Sequence, residues 1–279
     1  MDQRAPGLII TADDFGLHGS VNAAVEQGYR EGVLSAASLM VAGPAAADAV
    51  ARARANPGLR VGLHLVLADG RAMLPPRAIP DLVDSKGQFG SRMARDGVRI
   101  FFLPKVRRQL ANEIRAQFEA FAATGLALDH ANAHKHFHLH PTVLALMIQI
   151  GREFGLRAVR LPREAGLPPW LRPWLALLEH RLDAAGIAHN DYMIGLRQTG
   201  HFDEPRLLAA LQHLPASGVG EIYLHPARQS GAVITASAAS CRHADELAAL
   251  ISPRVRAARE QLRGKGFRFG GFADLAAPR

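Results

Sequence analysis

The chain has 279 residues, of which 48% are hydrophobic, and it carries a formal net charge of +8 at pH 7. This hydrophobic content is ample for a continuous core and excludes a disordered or fibrous protein. The positive charge raises nucleic-acid binding as a hypothesis, but few of the 33 basic residues are lysines. Arginine richness with abundant alanine is more typical of a GC-rich genome than of a phosphate-binding surface, so we predict no nucleic-acid partner.

The chain holds a single cysteine, Cys241, so an internal disulfide cannot form and packing must stabilise the fold. Such a chain suits a reducing compartment, and we predict a cytoplasmic protein. No apolar stretch reaches the roughly 18 residues that span a bilayer, and the first residues lack the pattern of a secretory signal. The sequence therefore predicts a soluble protein.

Short apolar segments alternate with amphipathic segments along the chain, which predicts an α/β fold with a parallel sheet and crossover helices. Strands are predicted at Leu8–Thr11, Leu34–Val41, Arg60–Leu65, Leu126–Ala131, Ala158–Leu161 and Glu221–Leu224. Helices are predicted at Ser20–Arg30, Ala45–Ala55 and Val106–Ala122. Each of these helices is followed closely by a glycine or a proline, the residues that commonly end a helix.

Residues 68–104 interrupt this alternation with scattered prolines and glycines and no clear period. We predict a long insertion after the third strand, and such insertions usually cover a site. No repeat or linker divides the chain, so we predict one domain over residues 1–279, with this insertion as its main irregularity.

Two adjacent carboxylates, Asp13 and Asp14, follow the first predicted strand. They are expected at the carboxyl end of the sheet, where α/β folds collect their functional groups. Two neighbouring carboxylates cannot bind one ion with equal geometry, so one would bind a metal while the other accepts a proton from the attacking water. The alternative is that one of them caps the next helix.

Five of the thirteen histidines lie between His130 and His140, in the run DHANAHKHFHLHP. Imidazole and carboxylate groups are the usual ligands of a catalytic divalent ion, and soluble proteins have little structural reason to crowd histidines this densely. In an extended segment His134, His136 and His138 would share one face, whereas in a helix His134 and His138 would stack on one face, and either geometry offers a metal pair. Pro141 favours a strand end and loop for the cluster.

Three further residues end predicted strands and are expected near the same mouth: His64, Arg160 and His225. His64 is a third candidate metal ligand, Arg160 would hold Asp13 ionised, and His225 would donate a proton to a leaving group. Each of the three has a structural alternative, as a buried hydrogen-bonded histidine or a surface ion pair.

These residues stand in four ordered blocks that resemble the YdjC-like carbohydrate deacetylase family, and most of all its hopanoid-biosynthesis-associated branch. The blocks are TADDFGLHGSVNAAV, SLMVAGPAA, VGLHLVL and HANAHKHFHLHPTV, and the similarity returns at EIYLHPA. The resemblance implies a distorted (β/α) barrel of the TIM-like type. It also implies removal of an N-acetyl group from an amino sugar with the help of one divalent metal ion.

By position, the resemblance implies that Asp14, His64 and His134 bind the metal and that Asp13 is the catalytic base. His225 falls on the implied general acid, and Arg160 matches less closely. Asn132 stands where many relatives carry an aspartate. The resemblance favours Mg²⁺, while Zn²⁺ and Mn²⁺ also suit these ligand types.

We therefore expect a metal-dependent N-deacetylase, with the N-acetylglucosaminyl headgroup of a hopanoid lipid as the expected substrate. Carboxylate and histidine sites also activate water against phosphate esters, so a phosphoesterase is the alternative among enzymes. A basic nucleic-acid-binding protein with incidental histidines is the alternative outside enzymes.

Residues 91–109, SRMARDGVRIFFLPKVRRQ, interleave basic side chains with Phe101, Phe102 and their apolar neighbours. This mixture predicts peripheral contact with a membrane, which would suit a lipid-linked sugar. The alternative is that the insertion buries the phenylalanines. Trp170 and Trp174 are expected to pack in the core, with an aromatic wall for a sugar as the alternative.

Overall fold

A curved parallel sheet forms the centre of the computed structural model, which describes residues 5–229, 234 and 240–277. Within these residues the strands are β1 (Gly7–Phe15), β2 (Ala36–Leu39), β3 (Arg60–Leu65), β4 (Ala131–Ala133), β5 (Tyr192–Ile194), β6 (Val219–Leu224) and β7 (Arg268–Phe269). The strand order is β4-β3-β2-β1-β6-β5, and β7 pairs with the first residues of β1. All nine residues of β1 and all six of β6 are buried, because the sheet is covered on both faces.

Helices connect the strands and cover the sheet. They are α1 (Gly19–Glu31), α2 (Ala46–Ala55), α3 (Met93–Phe102), α4 (Pro104–Ala123), α5 (Pro141–Glu153), α6 (Arg172–Ala184), α7 (Glu204–Gln212), α8 (His243–Ile251), α9 (Pro253–Gly264) and α10 (Phe272–Leu275). Short 3₁₀ turns lie at His134–Leu139, Pro169–Leu171 and Leu196–Gln198. In the described part of the chain, none of the helices combines the length and the apolar character that crossing a bilayer requires.

The outer edges of the sheet are linked through two isolated parallel bridges. One joins Ala131 of β4 to Val159, and the other joins Ala158 to Ala188, shortly before β5. The Asn190 side chain then bonds both the backbone N–H and the carbonyl of Leu161, at 2.7 and 2.8 Å. These links carry the sheet from β4 round to β5, so the predicted α/β fold with a distorted TIM-like barrel is confirmed.

Several predicted strands are wrong in extent. The first runs on to Phe15, so that Asp13 and Asp14 lie within it, and the second covers only Ala36–Leu39 of the predicted Leu34–Val41. The fourth strand begins at Ala131 and not at Leu126, although Asp129 and His130 already hydrogen-bond to β3. Residues Ala158–Leu161 contribute bridges and not a regular strand. The pattern missed β5 and β7, which span three and two residues and are too short to show a period.

The insertion lies after β3, as predicted, but its last part is regular, because α3 occupies Met93–Phe102. Two buried polar residues of α4 hold its first part. Glu113 accepts hydrogen bonds from the backbone of Met73 and Leu74 at 2.8 and 3.0 Å, and Gln117 bonds both backbone groups of Val66. Burial raises the pKa of the Glu113 carboxyl. The insertion is therefore anchored to the barrel by side-chain contacts that a hydrophobic pattern does not reveal.

Candidate active site

The two adjacent aspartates lie at the carboxyl end of β1 with different backbone conformations. Asp14 has φ = 64°, in the left-handed region, and the register of β1 against β2 shifts between Ala12 and Phe15. A bulge of this kind redirects a side chain, and such a conformation is costly for a residue other than glycine. Helix α1 is instead capped by His18, whose side chain accepts from the Ser20 backbone, so the helix-cap alternative for Asp13 and Asp14 is wrong.

Three side chains from different elements meet beside this bulge. Asp14 Oδ1 lies 3.4 Å from His64 Nε2 and 3.1 Å from His134 Nδ1. His64 Nε2 and His134 Nδ1 are 3.3 Å apart. The structure thus brings together the end of β1, the end of β3 and the first residue of the histidine turn, which we define as residues 134–140.

The donor set of these three side chains fits a divalent cation. Asp14 Oδ1 is buried and accepts a hydrogen bond from no group in the described part of the chain, despite the two nearby imidazoles. Burial alone would raise the pKa of Asp14, but the neighbouring His134 holds it well below its usual range. An ionised oxygen without a hydrogen bond, facing two ring nitrogens, is the arrangement expected of metal ligands.

Asp13 belongs to a separate buried cluster with Arg160 and Glu221. Arg160 Nη1 and Nη2 donate to the two Asp13 oxygens at 2.5 and 3.0 Å. The same guanidinium donates to both Glu221 oxygens at 2.9 and 2.7 Å, and Thr11 donates to Glu221 at 2.7 Å. Burial is the largest influence and would raise the pKa of Asp13, but the charge and hydrogen bonds of Arg160, together with the nearby His64 and His225, hold that pKa far below its usual range. Arg160 thus keeps Asp13 ionised and fixed in orientation.

The histidine turn separates its members, so the expectation that His134, His136 and His138 share one face is wrong. Lys135 and His136 both have φ = 54°, which turns the chain sharply after His134. His138 accepts from the Ala133 backbone at 3.1 Å and bonds the Arg160 carbonyl at 3.0 Å. Burial, with Arg160 nearby, lowers the pKa of His138 to about 3. His138 is therefore a neutral structural residue that supports the segment carrying Arg160.

Asn132 of β4 lies between His64 and the cluster of Asp13 and Arg160. Its amide can take two orientations, which give His64 different protonated nitrogens. In one, Oδ1 accepts from His64 Nδ1 at 2.6 Å, while Nδ2 donates to Ser38 at 2.9 Å and to Asp13 at 3.4 Å. In the other, the amide donates to His64 Nδ1 and its oxygen accepts from Arg160 at 2.9 and 3.1 Å. Only the first leaves the lone pair of His64 Nε2 free for a metal, because a neutral imidazole carries one N–H.

A buried chain of hydrogen bonds favours the first orientation. Asp129 accepts from His130 Nδ1 at 2.9 Å, and His130 Nε2 lies 3.1 Å from the Ser38 hydroxyl. With Asp129 ionised, neutral His130 has to accept the Ser38 proton, and Ser38 then accepts from the Asn132 amide. Arg160 favours the opposite orientation, in which it donates to the Asn132 oxygen. Asn132 therefore cannot satisfy both neighbours while His64 binds a metal.

Replacing Asn132 by aspartate should tighten metal binding by about tenfold, since a carboxylate accepts from His64 and from Arg160 together. Asn132→Ala should weaken binding by about tenfold, because His64 then loses the partner that fixes its tautomer. Titration calorimetry of the metal-free proteins with Mg²⁺, Zn²⁺ and Mn²⁺ measures both changes. Equal affinities for the two variants would contradict this account of Asn132.

A cavity of about 290 Å³ opens over the three candidate metal ligands and over Asp13. Its lining includes all of the predicted site residues except Arg160, which lies beneath Asp13. His225 follows β6, its backbone N–H bonds Glu246 of α8, and its Nδ1 has no hydrogen-bond partner among the described residues.

Neither tryptophan lines the cavity. Trp170 is largely exposed, so core packing is wrong for it, while Trp174 is half-buried and donates to the Leu139 carbonyl at 3.1 Å.

Sequence reasoning missed Glu221, Tyr223 and Thr199. Tyr223 lines the cavity, and its hydroxyl bonds Thr199 at 2.7 Å and His136 at 3.3 Å. Burial raises the pKa of Tyr223, so the hydroxyl stays protonated. One signal was present in the sequence: Glu221 and Tyr223 alternate within the otherwise apolar strand VGEIYL, and a carboxylate in a buried strand requires a partner.

The fold and this site define an α/β barrel protein with a candidate single-metal centre at the carboxyl end of its sheet. The model of the YdjC-like protein family matches residues 7–261, and the chain belongs to this family. One relative is a carbohydrate deacetylase from Brevibacillus brevis, which is 31% identical; the match covers 89% of this chain and 92% of the relative. Another is a chitooligosaccharide deacetylase from Yersinia pestis, which is 30% identical; the match covers 96% of this chain and 98% of the relative.

A solved structure also matches nearly the whole chain. It is a protein from Enterococcus faecalis described as a cellobiose-phosphate cleavage protein, with a TM-score of 0.76 and 25% identity. The match covers 98% of this chain and 99% of the other. The similarity supports the barrel architecture over its full length, including the region of the insertion.

Proposed function

We propose that this protein is a metal-dependent N-deacetylase of an amino sugar. One observation carries the proposal: the Asp14, His64 and His134 ligand atoms converge beside a second carboxylate, Asp13, that an arginine holds ionised. Membership of the YdjC-like family and the deacetylase relatives give the reaction class. We propose Mg²⁺ as the ion, which the resemblance favours, and Zn²⁺ and Mn²⁺ fit the same donor set.

The bound ion would supply Lewis acidity, making the attacking water more acidic and drawing electron density from the acetamide carbonyl. We propose that Asp13 accepts the proton of this water, since its carboxylate is ionised at neutral pH and Arg160 fixes its position. His225, which lines the same cavity, delivers a proton to the amine nitrogen as the carbon–nitrogen bond breaks. Acetate and a free amino sugar are the products.

For the substrate we propose the N-acetylglucosaminyl headgroup of a hopanoid lipid. This proposal rests on the resemblance of the sequence blocks to the hopanoid-biosynthesis-associated branch of the family. The cavity of about 290 Å³ has room for one sugar ring and not for a polycyclic lipid, so the lipid would remain outside the mouth. We place the enzyme in the cytoplasm, at the inner membrane where such a substrate would lie.

Acetate release should depend on a divalent ion and on the ligand set. Protein stripped with EDTA should be inactive on N-acetylglucosaminyl substrates and regain activity with Mg²⁺, Zn²⁺ or Mn²⁺ added singly. His134→Ala should recover less than about 1% of the activity with any of them, because a positioned metal supplies several kcal/mol. A coupled acetate assay measures this on a hopanoid-linked substrate and on a chitooligosaccharide.

The outcomes separate the parts of the proposal. Acetate from the chitooligosaccharide alone would reject the hopanoid substrate and keep the deacetylase. Metal-dependent phosphate release from an aryl phosphate, without acetate from either sugar, would make the protein a phosphoesterase. Full activity in EDTA would reject the metal.

A further inference from the structure

Apolar side chains are exposed where α3 meets α4. The exposed fractions are 60% for Val98, 47% for Phe101, 69% for Phe102 and 45% for Leu103. We name these four residues the elbow patch. Val98, Phe101 and Phe102 share one helical face by their spacing, and the two phenylalanine rings meet edge to face at 5.0 Å. The alternative that the insertion buries these phenylalanines is wrong.

Basic residues flank the elbow patch in the sequence. Residues 92–108 carry six cations and one carboxylate, namely Arg92, Arg95, Arg99, Lys105, Arg107 and Arg108 against Asp96. Asp96 pairs with Arg95 at 2.8 Å, and Asp81 of the insertion pairs with Lys105 at 3.0 Å. Such partly exposed pairs contribute little and leave the segment with a clear excess of positive charge.

We infer that the elbow patch docks on the surface of an anionic lipid bilayer. A corner of four apolar side chains bordered by cations is complementary to a surface that is negative at its headgroups and apolar just beneath. The buried side of α3, at Gly97 and Ile100, fixes the helix to the protein, so the exposed side is presented on a firm support. Isolated exposed apolar residues are ordinary, but a contiguous apolar group marks an interaction surface.

The elbow patch also meets the far end of the histidine turn. The Phe101 ring is 6.4 Å from the ring of His140, the residue that ends the histidine turn. His134 and His136, at the start of that turn, line the cavity. Docking by this surface would therefore bring the histidine turn close to the bilayer. The inference does not depend on deacetylation, because vesicle binding and acetate release are measured separately.

Co-sedimentation with phospholipid vesicles tests the inference on the full chain at low salt. The protein should sediment with vesicles of phosphatidylglycerol and not with vesicles of pure phosphatidylcholine. Val98→Ser combined with Phe102→Ser should weaken binding by about tenfold, because less apolar surface enters the lipid. Arg92→Gln combined with Arg108→Gln should weaken binding by about 30-fold, since each cation near an anionic surface contributes appreciably.

The matched control is Arg30→Gln combined with Arg254→Gln, which removes the same charge from exposed positions on α1 and α9. This control should bind almost as the unchanged protein does. Equal loss in the control, or no binding to phosphatidylglycerol, would overturn the inference. A dimer in light scattering that Val98→Ser with Phe102→Ser dissociates would also overturn it, because the elbow patch would then be an interface between two copies.

Discussion

Replacing Asp13 by asparagine should lower kcat for acetate release by about 10² to 10⁴ while the metal content stays unchanged. The amide has nearly the same shape and keeps one oxygen to accept from Arg160, but it cannot take up a proton. Asp13 makes its close contacts with Arg160 and not with His134, so its loss should leave the ligand set in place. Steady-state kinetics with metal analysis by mass spectrometry measures both quantities.

The neighbouring residue supplies the matched control. Asp14→Asn makes the same chemical change one residue further along β1, yet it should remove the metal, because Asp14 Oδ1 faces both ligand imidazoles. The decisive result is that Asp13→Asn keeps the metal while Asp14→Asn loses it. An unchanged kcat in Asp13→Asn would remove this residue from the mechanism, and lost metal would make it a ligand.

Arg160→Met should destabilise the fold by about 3 to 5 kcal/mol, because it leaves two buried carboxylates without their shared partner. Arg160 is fully buried between Asp13 and Glu221, and it makes four hydrogen bonds to them. Urea unfolding at pH 7 in EDTA measures the loss without a contribution from metal binding.

In Arg160→Met, the contribution of Asp13 to the pH dependence of the free energy of unfolding should also change sign. With Arg160 present, the pKa of Asp13 is lowered on folding, so its contribution is present above the unfolded pKa and is lost as pH falls below it. Without Arg160, burial raises that pKa on folding, so the stability difference between the variant and the unchanged protein should become smaller as pH falls from 7 to 5.

Arg115→Met is the comparison for an exposed arginine. Arg115 pairs with Glu153 through two bonds of 2.8 and 2.7 Å, but the two side chains are 41% and 50% exposed. Its loss should lower the free energy of unfolding far less than the loss of Arg160 does, at either pH. Similar costs for the two variants would show that burial does not decide the strength of the Arg160 pair.

The sequence predicted the architecture because buried parallel strands are continuous apolar runs. Leu8–Thr11 and Arg60–Leu65 show such runs, and the residues that follow or end them face the cavity. Since carboxyl ends of parallel strands share one edge of a sheet, the two aspartates, His64 and the histidine cluster were expected together despite their distance in the chain. The choice of Asp14 and His134 as ligands came from the family resemblance. The short strand β5 carries no such signal and was missed.

The detailed geometry of the site could not be predicted, because it depends on a few dihedral angles and on contacts distant in sequence. The left-handed conformation of Asp14 decides where its carboxylate points, that of Lys135 turns the chain sharply after His134, and neither residue type requires it. The Glu221 contact with Arg160 and the two orientations of Asn132 likewise follow from three-dimensional placement. The pattern of apolar residues predicts where strands end, but it does not predict which side chains will be hydrogen-bond partners of a buried polar group.

The bulge in β1 has a consequence for any chemistry at this centre. Asp13 and Asp14 are joined by one peptide unit, whose Cα atoms are separated by about 3.8 Å whatever the surrounding loops do. The backbone positions of the two aspartates are thus tied by covalent structure within a buried strand, while the bulge sets the directions of their carboxylates. A substrate that reacts here must therefore bring its reactive carbon to this bulge, wherever the histidine turn and the insertion hold the rest of the molecule.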